Sequence, residues 1–390
     1  MTRAVVLGGG MVGSVMAVDL ARERGVRVTV ADARPAALAA VRERARRAGV
    51  RVETVEADLA SAGRVRALAL GAEVVLGAMA SGIAFNALKT VIEAGRPYAD
   101  ISFMPEDAWD LDGLAKRKGV CAAVDIGVAP GMSHVCAAQG AQRLTRCESI
   151  EIYVGGLPRE RRWPFEYKAA FSPADVIEEY TRPTRLVEKG EVLVRPALSE
   201  PELMDFEGVG TLEAFNTDGL RSLVVNRLAP DMKEKTLRYP GHIALMRALR
   251  ETGFFGTEPV EAGGVKVRPR DLTAALLFPK WAYGPGEEDL TVMRVACVGR
   301  SGSRRVRLTW DLLDFYDRAG GATSMSRTTA FPCAIVARLM ASGRLKRAGV
   351  LTPDRLPECR GVYEALMKGH AERGVRYRFA REAVTATRRS

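Results

Sequence analysis

The chain has 390 residues, and at roughly 100–200 residues per domain this length predicts two domains or one elaborated domain. Its composition, 47% hydrophobic and 27% charged, is typical of globular proteins and excludes a disordered or fibrous chain. The 58 basic and 47 acidic residues give a net charge of +11. Because the basic residues are spread along the chain and aromatic residues make up only 6%, we expect no nucleic-acid partner.

Cysteine usage and hydropathy indicate the compartment. The six cysteines form no CxxC pair, and neither they nor the three histidines show the spacing of metal ligands. We therefore expect reduced thiols and no bound metal. No apolar run approaches the roughly 18–20 residues that cross a bilayer, and the run before Gly8 is too short for a signal peptide. The sequence thus predicts a cytoplasmic protein with no membrane partner.

The N-terminus carries a glycine motif in the context that gives it meaning. An apolar strand at residues 4–7 is followed by GGGMVG and then by a helical stretch. Gly8 allows the tight turn, Gly10 allows the backbone to approach a pyrophosphate, and Gly13 allows close packing of helix on strand. Met11 and Val12 complete the motif at the helix N-terminus, where unpaired N–H groups face an anion. The sequence therefore predicts a dinucleotide site.

The choice of dinucleotide depends on the end of the second strand. Asp32 lies about twenty residues beyond the motif, where a carboxylate can accept hydrogen bonds from a ribose 2′-hydroxyl. A carboxylate there repels a 2′-phosphate, so NAD is preferred. Arg34 weakens this preference because a guanidinium can offset the repulsion. The predicted cofactor is NAD, with NADP as the alternative.

Four further apolar segments continue the pattern at residues 52–55, 74–76, 98–101 and 120–124, with helical stretches between them. Repeated strand–helix units predict a parallel sheet, and ligands bind beyond the carboxyl ends of its strands. The residues expected there on the cofactor side are Asp58, Ala78, Ser81, Asp100 and Gly127.

The periodicity changes after residue 132. Apolar alternation at residues 150–154, and at 292–298 and 306–310 around a turn at 299–303, predicts a mixed, largely antiparallel sheet. A helix is expected over residues 243–249. We predict a Rossmann domain over residues 1–132 and an α+β domain for substrate binding and oligomerisation over 133–325. Residues 326–390 are expected to form helices that pack back on the cofactor domain and end in a frayed basic tail.

Several motifs of the second half carry a resemblance. DIGVAPGM, YVGGLP, FEYKAAFSPADVIEEY, LSEPE, GTLEAFNTDGL, KTLRYPGH and MSRTTAF occur in an order and spacing that resemble the saccharopine dehydrogenase-like family, most of all its lysine 6-dehydrogenase branch. The resemblance extends over nearly the whole chain, to about residue 355. It implies an α/β dehydrogenase and, as a partner, a small amino-acid substrate; we also expect a homodimer or a higher homo-oligomer.

The resemblance implies hydride transfer from a carbon that bears nitrogen. For lysine, the ε-carbon would give hydride to NAD, and the imine would be hydrolysed to a semialdehyde that cyclises. Saccharopine and carboxynorspermidine remain alternative substrates, and a regulator that binds NAD(P) without chemistry is a further alternative. Saccharopine would need one more cation, which Arg159, Arg161 or Arg162 could supply.

The same motifs imply residue roles. Arg238 is the expected partner of the substrate carboxylate, and His242, with an ordinary pKa near 6.5, is the expected proton acceptor. Lys235, in the same motif, is expected to flank this site and to assist catalysis, and Tyr167 is expected to assist by hydrogen bonding. The expected acceptors for the ammonium groups are Glu213, Thr217 and Asp218, and Asp125 is expected near the nicotinamide. Most of these residues also have ordinary structural interpretations, as ion pairs, caps, turns or core side chains.

Overall fold

The computed structural model describes residues 1–169, 173–284 and 286–384. The basic tail that the sequence predicts to be frayed lies largely outside these residues. The helices of the described residues are α1 (Met11–Ala21), α2 (Pro35–Arg47), α3 (Ala62–Leu70), α4 (Ser81–Glu93), α5 (Asp112–Lys118), α6 (Met132–Arg143), α7 (Pro173–Thr181), α8 (Ser222–Asn226), α9 (His242–Glu251), α10 (Pro269–Trp281), α11 (Ser324–Ala341) and α12 (Val362–Glu372), with 3-10 turns at Ala108–Leu111 and Pro353–Glu358.

The strands of the described residues are β1 (Thr2–Leu7), β2 (Val26–Asp32), β3 (Glu53–Glu56), β4 (Val74–Gly77), β5 (Tyr98–Asp100), β6 (Cys121–Ala123), β7 (Arg146–Pro158), β8 (Thr184–Glu188), β9 (Glu191–Arg195), β10 (Glu202–Phe206), β11 (Gly210–Asn216), β12 (Asp231–Arg238), β13 (Val260–Ala262), β14 (Val265–Val267), β15 (Asp289–Ser301), β16 (Arg304–Phe315), β17 (Gly349–Leu351) and β18 (Tyr377–Ala383).

The chain forms two compact units. The first consists of Met1–Gln139, Asp317–Ala322 and Ser326–Arg376, and the second consists of Gly140–Tyr316, Thr323–Met325 and Tyr377–Ser390. No helix of the described residues is long and apolar enough to cross a membrane.

The first unit contains a parallel sheet in the order β17-β6-β5-β4-β1-β2-β3. Its central strands are continuous apolar runs because helices cover both faces of such a sheet; Val6, Leu7 and Leu76 are fully buried. The order reverses at β1, so the carboxyl ends of β1 and β4 lie at the switch point where ligands bind in doubly wound sheets.

The second unit contains a mixed sheet in the order β10-β11-β12-β7-β15-β16-β18, with β8 and β9 paired beside β12. Of these pairs only β7 and β12 run parallel. The predicted hairpin is confirmed and is longer than expected, since β15 and β16 pair from Leu290 and Phe315 to Ser301 and Arg304. Together the two sheets confirm the α/β fold class predicted from the sequence.

The expectation that residues 326–390 form helices is wrong in part. Two helices are present, but β17 adds to the parallel sheet beside β6, and β18 adds to the mixed sheet beside β16. Strand β17 has three residues, too few for a periodic signal. Strand β18 lies at an edge and is mostly exposed, so its side chains lack the apolar alternation of a half-buried strand.

The C-terminal helices are tied to α1 through a buried carboxylate. Asp19 of α1 is 5% exposed and pairs with Arg338 of α11 at 2.6 Å and with Arg373, just after α12, at 2.7 Å. Two guanidinium partners satisfy the carboxylate that burial would otherwise penalise. The dinucleotide-type helix is therefore held by residues more than 300 positions away in sequence.

Candidate active site

The glycine turn between β1 and α1 has the shape that the motif predicts. A Cβ on Gly13 would stand 1.9 Å from the Gly8 carbonyl oxygen, and a Cβ on Gly8 would stand 2.2 Å from that of Ala78. Gly8 also has φ +102°, which favours glycine. A Cβ on Gly10, by contrast, would meet nothing nearer than 3.8 Å. The fold therefore requires glycine at residues 8 and 13, whereas Gly10 leaves open space for a ligand.

The N-terminus of α1 is available to an anion. Gly10 occupies the N-cap, and among the described residues no side chain caps the helix. Met11 is half exposed in the first turn, and Val12 follows it. The first N–H groups of a helix have no intrahelical partner, and the helix dipole favours negative charge there. These residues fit the pyrophosphate of a dinucleotide.

The Asp32 carboxylate already has hydrogen-bond partners within the fold, which the sequence did not indicate. Its carboxylate accepts hydrogen bonds from the Gly9 amide at 2.8 Å and from the Arg34 amide and guanidinium at 2.8–3.2 Å. Burial alone would raise the pKa of Asp32, but the hydrogen bonds from Arg34 and Gly9 outweigh it and lower that pKa. The Arg34 side chain is 70% exposed and its Nη2 lies 3.8 Å from where a Gly10 Cβ would stand. Asp32 thus fixes the glycine turn through the Gly9 amide and holds the Arg34 guanidinium beside Gly10.

This arrangement predicts which cofactor Arg34→Ala affects. Loss of the guanidinium is expected to weaken NADPH binding by about tenfold or more, because a 2′-phosphate loses a charge-assisted hydrogen bond, and to change NADH binding less. Fluorescence titration of both cofactors measures this, with the exposed Arg42→Ala on α2 as the matched control. An equal loss for both cofactors would show that Arg34 does not read the 2′ position.

The other predicted cofactor residues lie beyond the strand ends. Ala78 follows β4 and its amide donates to Leu7 O at 2.8 Å, Ser81 begins α4, and Asp58 forms an exposed turn with the Ala60 amide. The sheet order places Ala78 beside the glycine turn; Asp58 follows the edge strand β3. Their roles toward a cofactor stay predictions.

A buried carboxyl group lies under the β4 turn. Asp100 is fully buried, and its Oδ1 accepts from the Ser102 amide at 2.9 Å and from the Ser102 hydroxyl at 2.7 Å. Ser102 Oγ in turn accepts from the Met79 amide at 2.9 Å. Among the described residues, Asp100 Oδ2 and the Tyr98 hydroxyl have no hydrogen-bond partner. The chain of bonds fixes the turn that follows Gly77.

Burial raises the pKa of Asp100 to about 7, and the charge of Asp125 adds to this although the Ser102 hydrogen bonds oppose it. Since the fold favours the protonated form, the stability contributed by this group is complete below about pH 4 and is lost as the pH rises through about 7. We expect Asp100→Asn to remove about 2 kcal/mol of the decrease in unfolding free energy between pH 5 and pH 8. Denaturant unfolding at both pH values measures it; a difference from wild type that is equal at both would refute the assignment.

The segment after β6 forms a tight turn. Asp125 has φ 57° and is 7% exposed, and its neighbour Ile126 donates to Asp100 O at 2.8 Å. A Cβ on Gly131 would stand 1.9 Å from Gly127 O, and one on Gly127 would stand 3.3 Å from Thr329 Cγ2. The turn therefore requires glycine at residue 131, and it brings Asp125 to the same sheet edge as Asp100.

In the second unit Arg238 is the centre of a buried network. Its guanidinium pairs with Glu179 at 2.7 Å, donates to Tyr180 Oη at 3.3 Å and to Leu237 O at 3.0 Å, and lies 4.4 Å from the Tyr167 ring centroid. Arg238 is only 2% exposed. Its predicted role as the direct partner of a substrate carboxylate therefore lacks support, because the guanidinium already serves internal partners.

His242 has the same internal character. Its Nδ1 lies 2.8 Å from the Phe165 carbonyl oxygen, which can only accept, so Nδ1 carries the proton and Nε2 accepts from the Tyr180 hydroxyl at 2.9 Å. Burial lowers the pKa of His242 to about 3, and Arg238 contributes to the lowering. A neutral imidazole with both nitrogens bonded is a poor proton acceptor at neutral pH. The expected proton-acceptor role thus loses its physical basis in this arrangement.

Lys235 does not flank Arg238. Successive side chains of a strand point to opposite faces, and these two residues of β12 are separated by three positions. Lys235 Nζ contacts Glu200 O at 2.6 Å and Glu202 at 2.9 Å, whereas Arg238 contacts the rings of Tyr167 and Phe215. The expectation that Lys235 shares the Arg238 site is wrong, because it relied on closeness in sequence. Tyr167 does share it, through its ring.

The predicted ammonium acceptors divide into three kinds. Glu213 accepts from the Gly241 amide at 3.1 Å, and Asp218 forms a two-point pair with Arg185 at 2.9 Å. Thr217 Oγ1 lies 2.9 Å from Thr236 Oγ1 on the Arg238 face of the sheet. Asp218 is thus already neutralised, while Thr217 lies at a polar position inside the unit.

The three arginines after YVGGLP are half exposed and paired. Arg159 lies 2.9 Å from Glu288, Arg161 lies 2.5 Å from Glu166, and Arg162 lies 2.7 Å from both Glu160 and Glu287. Each guanidinium that was considered as the additional cation for saccharopine is therefore already paired with a glutamate.

Three buried or partly buried residues of the second unit were missed from the sequence: Glu179 and Tyr180, which belong to the Arg238 network, and Glu234, which lies outside it. Glu179 and Tyr180 are in the EEY sequence that ends the motif FEYKAAFSPADVIEEY, but the sequence analysis assigned them no role. Glu234 precedes KTLRYPGH by one residue, and as one of 47 acidic residues it carries no distinguishing pattern. Only its 4% exposure in the folded chain singles it out.

Comparisons with known proteins agree with this architecture. A family model described as "Saccharopine dehydrogenase NADP binding domain" matches residues 4–123, and one described as "Saccharopine dehydrogenase C-terminal domain" matches residues 127–375. An alpha-aminoadipic semialdehyde synthase of Arabidopsis thaliana is 23% identical over an alignment of 370 residues, covering 72% of this chain and 34% of that protein. A saccharopine dehydrogenase (NADP(+), L-glutamate-forming) of Schizosaccharomyces pombe is 29% identical over 126 residues, covering 32% of this chain and 27% of that protein.

The solved structure of an apo histidine-tagged saccharopine dehydrogenase (L-Glu forming) from Saccharomyces cerevisiae has a TM-score of 0.80 and 18% sequence identity, with 99% of this chain and 100% of the other covered. At this identity the likeness concerns the fold. The alignments span about a third of the length of the first curated relative named above and about a quarter of the second.

Proposed function

The chain belongs to the saccharopine dehydrogenase family, and from this premise we propose that it is an NAD(P)-dependent oxidoreductase acting on a carbon–nitrogen bond of an amino acid. The ε-amine of L-lysine is the first candidate substrate. The observation that carries the proposal is the glycine turn: Gly8 and Gly13 admit no side chain, and Gly10 opens the helix N-terminus to an anion. The family's C-terminal domain follows on the same chain.

The chemistry sets definite requirements. A bound dinucleotide supplies the hydride acceptor, and the family model is described as NADP-binding. The substrate ammonium must first lose a proton, because only the nitrogen lone pair can stabilise the carbon as hydride leaves. Water then adds to the imine, and for lysine the products are the semialdehyde, ammonium and the reduced cofactor. The chain must therefore bind a cationic nitrogen and accept its proton.

The Arg238 network is assigned a positioning role in this proposal. Arg238, Tyr180 and His242 form a directed series of hydrogen bonds: Arg238 donates to the Tyr180 hydroxyl, Tyr180 donates to His242, and His242 donates to Phe165 O. A series of this kind holds β12 and α9 in fixed orientation next to α7. The residues that meet substrate are then to be sought among their neighbours on the same face of β12.

Saccharopine oxidation is the second candidate, favoured by the names of the relatives. It needs a cation for an additional carboxylate. The pairing of Arg159, Arg161 and Arg162 with glutamates speaks for the smaller substrate. For this reason we place lysine first.

Turnover tests both candidates. The purified chain is incubated with NAD+ or NADP+ and with L-lysine, saccharopine or carboxynorspermidine, while the absorbance of the reduced nicotinamide is followed. The proposal expects reduced cofactor and ammonium from lysine, and reduced cofactor with glutamate if saccharopine is the substrate. Cofactor binding without turnover of any donor, in either direction, would refute it and would favour a cofactor-sensing regulator.

A further inference from the structure

Glu234 of β12 is a buried carboxyl group that the network does not use. It is 4% exposed and lies on the same face of the strand as Thr236 and Arg238. Its carboxyl group lies under the turn that follows β11: a Cβ on Gly219 would stand 1.8 Å from Oε1. The Thr217 amide donates to Glu234 O at 3.2 Å. Glu234 therefore lies beside the hydroxyl pair of Thr217 and Thr236.

One oxygen of this carboxyl group has no partner. Among the described residues, Glu234 Oε2 makes no hydrogen bond although it is fully buried. A buried polar atom without a partner costs free energy, so such an atom in a native fold needs an explanation. A bound ligand that donates a hydrogen bond to Glu234 Oε2 would be such an explanation.

The surroundings select the charge of that ligand. The charged groups that face Glu234 are Asp218, from the turn after β11, and Glu179, from α7. Their cations are already taken, since Arg185 of β8 pairs with Asp218 and Arg238 pairs with Glu179. Burial raises the pKa of Glu234 to about 8, and both neighbouring carboxylates add to this. When Glu234 is ionised, its negative charge therefore has no cation beside it, and a cationic ligand would supply one.

We propose that Glu234 binds the ammonium group of the substrate and accepts its proton. The proposal rests on the function proposed above and identifies the substrate group as a primary ammonium. In the step, one N–H bond breaks and one O–H bond forms at Glu234 Oε2, so R–NH3+ and a carboxylate become R–NH2 and a carboxylic acid. The lone pair left on nitrogen is the one that hydride transfer to NAD(P)+ requires.

Glu234 meets the requirement that His242 and Lys235 do not. His242 has both nitrogens bonded, and the Lys235 side chain lies on the other face of the sheet. A proton acceptor is most effective when its pKa is near the working pH. The Thr217 and Thr236 hydroxyls supply further acceptors beside it.

Proton release on ligand binding tests the proposal without turnover. L-lysine is titrated into the chain with NADPH bound, by calorimetry in two buffers that differ in ionisation enthalpy. Because free Glu234 is mostly protonated at pH 7, binding of an ammonium group is expected to release close to one proton at pH 7 and close to none at pH 9, whichever partner then holds the shared proton. Glu234→Gln is expected to release none and to bind lysine at least about tenfold more weakly.

Two variants complete the design. Glu261→Gln, on the exposed strand β13, is the matched control and is expected to behave as wild type. Gly219→Ala keeps the carboxyl group but displaces it, since the added methyl would stand 1.8 Å from Oε1. It is expected to lose most of the proton release too, which keeps the test informative if Glu234→Gln does not fold.

The outcomes separate this inference from the proposed function. Proton release that persists in Glu234→Gln overturns the role of Glu234, even if lysine is oxidised. Proton release that depends on Glu234 supports the ammonium site, even if no reduced cofactor forms. Failure of L-lysine to bind wild type overturns the proposal, whatever turnover saccharopine gives.

Discussion

Gly13→Ala is expected to reduce dinucleotide affinity by at least about 100-fold and to destabilise the first unit. The new Cβ would stand 1.9 Å from the Gly8 carbonyl oxygen, a distance that backbone atoms cannot accommodate without moving β1 and α1 apart. Overpacking of this kind costs about 1–3 kcal/mol, and the displaced helix N-terminus no longer meets a pyrophosphate. Fluorescence titration with NADH and NADPH and thermal unfolding measure the two effects.

Two other glycine variants isolate the causes. Gly10→Ala has room for its methyl in the fold, so it is expected to keep stability and lose cofactor affinity. In Gly63→Ala, on α3, the nearest atom to the new Cβ is 3.9 Å away. This variant is expected to lose neither stability nor cofactor affinity. Normal cofactor affinity in both Gly10→Ala and Gly13→Ala would contradict the assignment of this turn as the cofactor site.

Arg238→Met is expected to lower the unfolding free energy by about 3–5 kcal/mol. The substitution leaves Glu179 without its cation, removes a donor to Tyr180 and ends the contact with the Tyr167 ring. Breaking one side of a buried ion pair has a cost in this range because a charge remains without compensation. Denaturant unfolding of the purified variant measures the change.

A neighbouring ion pair supplies the control for Arg238. Arg270 of α10 pairs at 2.6 Å with Glu178, which lies on α7 beside Glu179, but both side chains are about a third exposed. Arg270→Met is expected to cost no more than about 1 kcal/mol. The double variant Arg238→Met with Glu179→Met is expected to recover part of the loss, since no charge is left unpaired. A loss no larger than that of Arg270→Met would show that Arg238 has no organising role.

The first unit could be predicted from the sequence because its determinants are local. The spacing of Gly8, Gly10 and Gly13 defines a turn within six residues, and the apolar strands are continuous because both faces of the sheet are covered. What escaped prediction depends on contacts between distant residues: the Asp32 carboxylate accepts a hydrogen bond from the Gly9 amide, 23 positions earlier, and β17 joins the sheet from more than 200 residues beyond β6.

In the second unit the sequence singled out Arg238 and His242 but gave no indication of their internal partners. KTLRYPGH identified Arg238 and His242, yet their burial follows from Glu179, Tyr180 and Phe165, which lie 58 to 77 positions earlier. No local pattern reports such a distance. Lys235 could have been assigned correctly, because a strand over residues 231–238 places it opposite to Arg238. Glu234 had no signal beyond the same alternation.

Transfer of deuterium tests the central claim most directly. L-lysine deuterated at the ε-carbon is incubated with the chain and oxidised cofactor, and the reduced nicotinamide is analysed by mass spectrometry and NMR. Oxidation at the carbon that bears nitrogen predicts one deuterium per reduced nicotinamide, with an equal amount of ammonium released. Reduced nicotinamide without deuterium, or no reduced nicotinamide while lysine and cofactor both bind, would contradict the account.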